Sequence, residues 1–539
     1  MKLNQSAETY GVCPVIDNLR KDGNIMGFER WRKIGQIVIA DLKQNGRFFN
    51  TTLGLFFFDN DHRRAFPLDG NVELAALINR RYGINPKEHG FKRVLADLQS
   101  EAVLNGQKAE IRRLAHYDSQ KKVLYLSRFD GYVYRLDGNS VVPVPNGTDD
   151  VFFFDHRLIW EPYSYLADAP KGELDRQLIE GINFAGFILS VEEQRRLVKL
   201  WLLAVFFGSI QPTKIILLLL GEQGSGKTSA LRRIQKCIFG ARADLLSIEK
   251  DKQDGFVATV TTDPLALFDN IDERVSWLPY ALSRLATGVT FSRRQLYTTN
   301  FKVEFPGVSW LGITSRTVRF MENQPDLPER TLILRLDRLR ERQAEEELLT
   351  AIAEHRNEIW SELLEDLNRV VRHFRQTTEH PRVHFRMADF ASFALQVAAL
   401  WGCRPEVEQS LAKLEASQAE FVFEEEPIHQ VLEPWLMIEA NQGRNVEAGM
   451  LQQEWSRLAT RNAIIWPFAN GKSLGQRLVQ LEDALNQKVR FEVTPDPHTK
   501  QNRYRFWPKQ VALDPEVPVT VANDSADAEV AGTVLALRD

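Results

Sequence analysis

Residues 221–228 read GEQGSGKT, and Gly221, Gly226, Lys227 and Thr228 fall at the spacing G-x-x-x-x-G-K-[ST]. Glycines at that spacing let backbone N–H groups wrap phosphate oxygens, the lysine meets the β/γ oxygens, and the hydroxyl beside it holds Mg²⁺. These mechanics assign ATP to Gly221, Glu222, Gln223, Gly224, Ser225, Gly226, Lys227, Thr228 and Ser229, and the metal to Thr228. Phosphoryl chemistry also needs a carboxylate at the end of a second buried strand, and DPLALFDNIDE (263–273) supplies Asp269 as a second Mg²⁺ ligand. Asn270 stands where many ATPases place a water-activating glutamate; Asp272 or Glu273 could reach the water instead, although solvated helix-start roles suit both equally. A third apolar run, GVSWLGITSRT (307–317), ends in Thr314, Ser315 and Arg316, polar groups suited to sensing a γ-phosphate or orienting a water, or to a plain polar turn. Arg330, in PDLPERTLILRLDRL, could be offered to a neighbouring subunit's site as a finger, with Arg316 and Arg319 as rivals and a salt bridge as the ordinary alternative.

Other residues suit nucleic acid. GVTFSRRQLYTTNFKVEF (288–305) holds two alternating runs around TTN, a hairpin pattern in which Arg293, Arg294 and Lys302 are basic and Tyr297 and Phe301 offer stacking faces. An edge hairpin that uses charge to prevent aggregation has the same composition. Towards the C-terminus Lys472, Arg477, Lys488, Arg490, Lys500, Arg503 and Arg505 cluster within a nearly neutral chain, a local footprint for phosphates. Asp59, Asp61 and His62 in FFFDNDHRRAF are close enough to hold two metals, but a turn between strands uses the same residues.

The elements that must position these groups follow from periodicity. A strand, KIILLLL, precedes the glycine turn and a helix, KTSALRRIQKCIFG, follows it; short apolar strands alternate with helices across 213–340, as a parallel α/β sheet requires. Residues 1–165 mix strand-and-hairpin runs with one helical stretch, an α+β domain; 166–212 read as a helical collar of two helices, and 341–422 as a helical segment. Residues 423–508 run through three helices to a strand-turn-strand, the order of a winged helix, with SLGQRLVQLEDALNQKVR (473–490) as its recognition helix and a wing tip near Lys500. The remaining 509–539 is an acidic tail expected to be disordered.

Composition excludes little but constrains the setting. The formal charge of −4 gives no global pull toward nucleic acid, so basic surfaces must be local. Cys13, Cys237 and Cys403 lack disulfide or zinc spacing, and the N-terminus lacks a secretory core; the expectation is a cytoplasmic protein. The most apolar stretch, LWLLAVFFGSI (200–210), is about half of the roughly 20 residues that cross a bilayer, so a buried helix is expected and no membrane partner.

Taken in order, GEQGSGKT, the FDN strand end, LSRLATGVTFSRRQLYTTN, the strand ending ITSRT, DLPERTLIL, HPRVHFRMADFASFALQVAALWG and LYLSRFDGYVYRL resemble AAA+ ATPases related to superfamily-three helicases and poxvirus-type primase-helicases. The likeness spans roughly 95–507 and is greatest to the kind encoded by bacterial phages and integrative mobile elements. It implies an AAA+ (ASCE) core, a homo-oligomer in the form of a hexameric ring, ATP sites shared between neighbours, and a pore hairpin that grips single-stranded or forked DNA through Arg293, Arg294, Asn300 and Lys302. The implied function is an ATP-dependent helicase or translocase in replication of a phage or mobile element. An ATP-gated, DNA-binding switch or scaffold with little unwinding, for defence or loading and with a protein partner, fits the missing glutamate after Asp269. A small-molecule kinase would leave the hairpin and the C-terminal module unexplained.

Overall fold

The computed structural model describes residues 13–155, 159–272, 275–294, 302–305, 307–321, 324, 326–341, 343–377, 381–424, 427–462, 464, 466–496 and 501–509. The fold is mixed α/β, and the chain divides into two compact units, Met1–Glu426 and Pro427–Asp539.

The first unit is built on a four-stranded parallel sheet. Its core strands are, in chain order, Ile216–Gly221, Leu265–Phe268, Trp310–Ser315 and Thr331–Leu336, and in space they run second, third, first, fourth. All four are near-continuous runs of buried apolar residues, as strands covered on both faces must be. A single parallel bridge, Leu246 to Phe268, extends the outer edge beyond the second strand. Because all strands run the same way, Gly221, Asp269, Ser315 and Leu336 come out on one edge of the sheet.

Helix Val191–Phe206 packs into this core. Ser190 and Glu193 form a reciprocal capping box at its start, and from Leu197 to Phe206 all but Lys199 are buried. No helix among the described residues is long and apolar enough to cross a membrane. The other collar helix expected from the sequence is reduced to the turn Asp175–Glu180. The chain after it is drawn to the sheet: Phe184 bridges Leu336 and Ala185 N donates to Arg335 O at 2.8 Å, so its backbone groups are no longer available to a helix. Helices Glu345–Gln376, Ala388–Trp401 and Arg404–Glu424 complete this part.

Residues before the sheet form two bodies, where the sequence suggested one domain. The antiparallel strands Gly46–Thr51, Gly54–Asp59 and Arg64–Pro67 place Phe57 against Ile34, Val38, Leu74 and Leu98 of the flanking helices. Phe56 and Phe58, one residue either side, go to the opposite face with Phe152 and Phe154. Period-two alternation thus buries both faces of one short sheet. The meander Ala115–Asp118, Val123–Ser127, Tyr132–Leu136 and Val141–Pro145 instead sends Leu124, Leu126, Tyr134 and Leu136 into the same apolar core as the parallel sheet.

In the second unit, helices Pro427–Leu436, Ala448–Arg461, Gly471–Gln480 and Glu482–Lys488 surround an antiparallel sheet of Val446–Glu447, Asn502–Pro508 and Val489–Pro495, in that order. Trp435, Trp455, Phe491 and Phe506 are its buried aromatic centre. The helix read across 473–490 is two: the chain leaves helical geometry at Leu481 (φ −98°, ψ 10°). Val489 and Arg490 already pair with Pro508 and Trp507, because VRFEV alternates with a strand's period.

The joint between meander and sheet is aromatic. Trp360 is fully buried, stacks on Tyr163 with centroids 3.8 Å apart and planes 13° apart, and donates its indole N–H to Cys237 O at 2.9 Å. Trp360→Ala is expected to destabilise the first unit by about 3–5 kcal/mol, read as a lowered denaturation midpoint for that unit. An unchanged midpoint would show that this joint carries no stability.

Candidate nucleotide site

The glycines of the turn answer to specific constraints. Gly224 and Gly226 both have φ +83°, a left-handed backbone that side chains resist. A Cβ on Gly221 would lie 2.5 Å from Leu336 O. The turn delivers the chain into helix Lys227–Phe239, whose first-turn N–H groups face the same edge of the sheet.

Lys227 is buried at this edge, and its Nζ donates to Gly221 O at 2.6 Å and Glu222 O at 2.9 Å, with Ser225 Oγ at 3.3 Å. Burial pushes its pKa down against the opposing pull of Asp272, Asp269 and Glu222. Thr228 Oγ1 donates to Asp269 Oδ1 at 2.8 Å, joining helix and second core strand. Thr314 Oγ1, at the end of the third strand, donates to the same oxygen at 2.5 Å and accepts from Asn270 N at 2.8 Å. Asn270 has φ +56°, a conformation that asparagine tolerates better than most residues. Glu222 and Gln223 are exposed, and Ser229 sits in the first turn of the helix.

A second cluster lies beside the first. Asp272 Oδ1 accepts from Arg316 N at 2.7 Å and lies 3.1 Å from Ser315 Oγ, while its other oxygen pairs with the Arg316 guanidinium. Ser315 Oγ also approaches Ile271 O at 2.9 Å and Thr317 O at 2.7 Å, so of the two hydroxyls it is Thr314 that touches Asp269. Arg330 pairs with Asp326 at 2.7 Å and donates to Ser283 O at 3.3 Å and to the Ser283 hydroxyl, which holds the guanidinium within its own chain. Glu273 lies outside the described residues.

A cleft of about 790 Å³ opens from the turn and the first residues of the helix. Its lining also includes Arg176, Gln177, Leu339, Leu348 and Ala351. None of these five carries a local motif, and only the tertiary fold brings them to the glycine turn. Arg233 ties the wall to the helix by donating from Nη1 to Gln177 O at 2.8 Å. Glu173, His355 and Glu358 have ligand atoms close enough to share a cation, but Glu173 already accepts from Arg176 and Gln177.

The basic groups are distributed unevenly. Strands Phe291–Arg294 and Lys302–Phe305 pair antiparallel, with Arg293 opposite Val303 and Arg294 opposite Lys302. Tyr297, Asn300 and Phe301 lie outside the described residues, as does Lys500. In the second unit Arg503 is held between Asp496 at 2.7 Å and Glu447 at 2.9 Å, and Arg477 contacts Gln480 at 3.3 Å. Near the N-terminus fully buried Asp59 accepts from Arg81 at 2.9 Å and contacts His62 Nδ1 at 2.5 Å, while the other Arg81 nitrogen takes Asp61 at 2.9 Å. The two carboxylates are engaged in fixing their own turn.

Residues 177–417, which include the sheet, the glycine turn and the hairpin, match the family described as actinomycete integrative conjugative element replication protein. This agrees with the mobile-element resemblance carried by the motifs. No curated protein matches the chain. Among solved structures, one titled as SCCmec type IV Cch, an active helicase, is similar at 12% identity and a TM-score of 0.42, covering 84% of this chain and 90% of that one. The apo C-terminal region of NrS-1 is similar at 11% identity and a TM-score of 0.36, covering 87% and 98%.

The Asp272 cluster yields a pH test. Burial alone would raise this carboxyl, but the Arg316 N–H and guanidinium and the Ser315 hydroxyl outweigh it and hold the pKa below the usual carboxylate value. Such a group stabilises the fold above its unfolded pKa, and the contribution is lost as pH falls through the folded one. Asp272→Asn should therefore cost about 1–2 kcal/mol near neutral pH. Denaturant titrations at neutral pH and at about pH 3 should show the gap to the parent chain closing in acid; a gap independent of pH would place the stabilisation elsewhere.

Proposed function

We propose that the first unit is a P-loop ATPase of the AAA+ (ASCE) type that works as an oligomeric ring on DNA, driving strand separation or translocation in replication of a mobile element. The observation that carries this reading is the 2.8 Å contact between Thr228 and Asp269, which joins a glycine-turn helix to the end of the second core strand, one strand removed from the first, at the carboxyl edge of a parallel sheet. Support also comes from the hairpin inserted between the second and third core strands and from the replication-protein family match.

In this reading the backbone N–H groups of Gly224 to Ser229 bind the ATP phosphates and Lys227 moves from the turn carbonyls to the β/γ oxygens. Thr228 and Asp269 have the hydroxyl and carboxylate that a Mg²⁺ ion requires, and the ion, when bound, neutralises charge on the phosphates. Thr314 fixes Asp269, and Asn270, Glu273 or Ser315 places the attacking water. Arg330, released from Asp326, reaches a neighbouring subunit's nucleotide. Arg293, Arg294, Asn300 and Lys302 grip a single strand, and the second unit, a winged helix, adds duplex contacts through Arg477, Lys500 and Arg503.

Asn270 favours a second reading. An amide cannot take a proton from water, and its left-handed backbone is secured by Thr314. A slow ATP-gated switch that assembles on DNA and docks a partner protein would need no faster base.

ATP turnover with and without single-stranded and forked DNA separates the two. The ATPase assignment predicts that Lys227→Ala lowers turnover by about two orders of magnitude; retained turnover would sink it. DNA-stimulated hydrolysis with strand separation supports the motor, and slow hydrolysis indifferent to DNA supports the switch. A shared site further predicts that mixing inactive Lys227→Ala subunits with inactive Arg330→Ala subunits restores some activity. No recovery would count against a finger acting between subunits.

A further inference from the structure

A second cleft, of about 520 Å³, lies at the opposite end of the parallel sheet from the nucleotide site. Lys214 leads into the first core strand there, Pro264 into the second, and Trp310 begins the third. Gly288 and Gly307, which bracket the hairpin, also line it, and residues 110–115 wall the other side. Gly288 has φ +70°, and a Cβ there would lie 2.3 Å from Pro212 O, so the hairpin root is pressed against this cleft by a residue only glycine can supply.

The charges of the cleft do not balance. Arg112 pairs with Glu110, but Arg113 makes no hydrogen bond or ion pair among the described residues. Arg113 lies over the Phe154 ring at 4.5 Å, and burial pushes its pKa down to about 10, with Asp263 the one charge opposing it. Lys214 is likewise lowered by burial, and the carboxylate that opposes this, Asp389, is bound to the Thr213 backbone at 3.0 Å and to its hydroxyl. Trp310 is 1% exposed, and its indole N–H has no acceptor among the described residues. Two poorly compensated cations and an orphaned donor around one opening favour an anionic occupant.

We propose that this cleft binds phosphate groups of a nucleic-acid strand, with Arg113 and Lys214 as the charged ligands and the Trp310 N–H as a neutral one. The proposal rests on the DNA-acting reading above and adds to it a contact at the hairpin's root. The strands Leu265–Phe268 and Trp310–Ser315 run from this cleft to Asp269 and Thr314, so a nucleic-acid strand held here sits roughly five residues, or about 17 Å, from the nucleotide site along two rigid elements.

The test is anisotropy of a labelled oligothymidine titrated with the full chain at several salt concentrations. Arg113→Gln combined with Lys214→Gln should weaken binding roughly tenfold and lower the salt slope by about two, while ATP turnover without DNA stays at the parent value. Arg113→Lys with Lys214→Arg, which keeps both charges, should retain the slope. If the parent binds DNA and the double Gln chain binds it equally with the same slope, the cleft assignment falls and the ATPase reading stands. If the parent binds no DNA, the cleft assignment and the DNA-acting reading both fall, while the ATPase assignment is decided by Lys227→Ala alone. Inorganic phosphate supplies the other arm: if it raises the melting temperature of the parent but not of the double Gln chain, and DNA affinity is equal in both, the cleft takes small anions and the strand assignment is overturned. Should the double chain show no melting transition, each single Gln variant must lower the slope by about one, and no change in either overturns the proposal.

Discussion

One carboxylate oxygen organises the nucleotide edge of this protein. Asp269 Oδ1 accepts from Thr228, at the start of the helix after the glycine turn, and from Thr314, at the end of the third core strand. Three elements distant in sequence are therefore pinned at one point. A carboxylate in that position can accept several donors at once, and charge-assisted bonds are the stronger kind. The neighbouring backbone depends on the same point, because Asn270 keeps its left-handed turn by donating to Thr314 and Ile271 N bonds Thr314 O at 2.9 Å.

The far end of the same helix is held with equal economy. Arg356 donates Nε to Cys237 O at 2.8 Å and Nη2 to Ile238 O at 3.0 Å, satisfying carbonyls that the last turn leaves without partners. Its remaining bonds go to Glu161 O and Pro162 O, both at the exit from the meander. A buried cation at a helix C-terminus also opposes the helix dipole. The site helix is thus clamped at its start by an acid and at its end by a base, and the second clamp reaches the segment that follows the meander.

The strand-turn-helix at 216–239 was legible because three local rules coincide there: a continuous apolar run, glycines at fixed offsets and a helical period after them. The parallel sheet was legible for the same reason. What local rules missed was set at long range. The helix expected before Val191 is lost because Phe184 and Ala185 bond to the fourth core strand, about 150 residues later, through contacts that sequence periodicity does not encode. The same limit hid Leu339, Leu348 and Ala351 of the cleft wall, which read only as ordinary helix and loop residues. Between Thr314 and Ser315 the sequence offered no basis for choice, since a one-residue step in a strand reverses the face and only the register decides.

Charge shows the same contrast most sharply. The densest run of basic residues lies in the second unit, yet two of its arginines are compensated: Arg503 by Asp496 and Glu447, and Arg490 by Glu492. Arg113 and Lys214 stand about 100 residues apart in sequence and belong to no cluster, but the fold brings them to one cleft with little opposing charge. Potential at a surface is a sum over neighbours in space, so a count of lysines and arginines along the chain does not by itself rank these regions. A cation already paired must give up its partner to bind a phosphate, whereas one that burial has made costly gains from any anion that reaches it. In the proposed reading, the attraction for a polyanion depends on where the fold has withheld counter-charges as well as on where the sequence has concentrated cations.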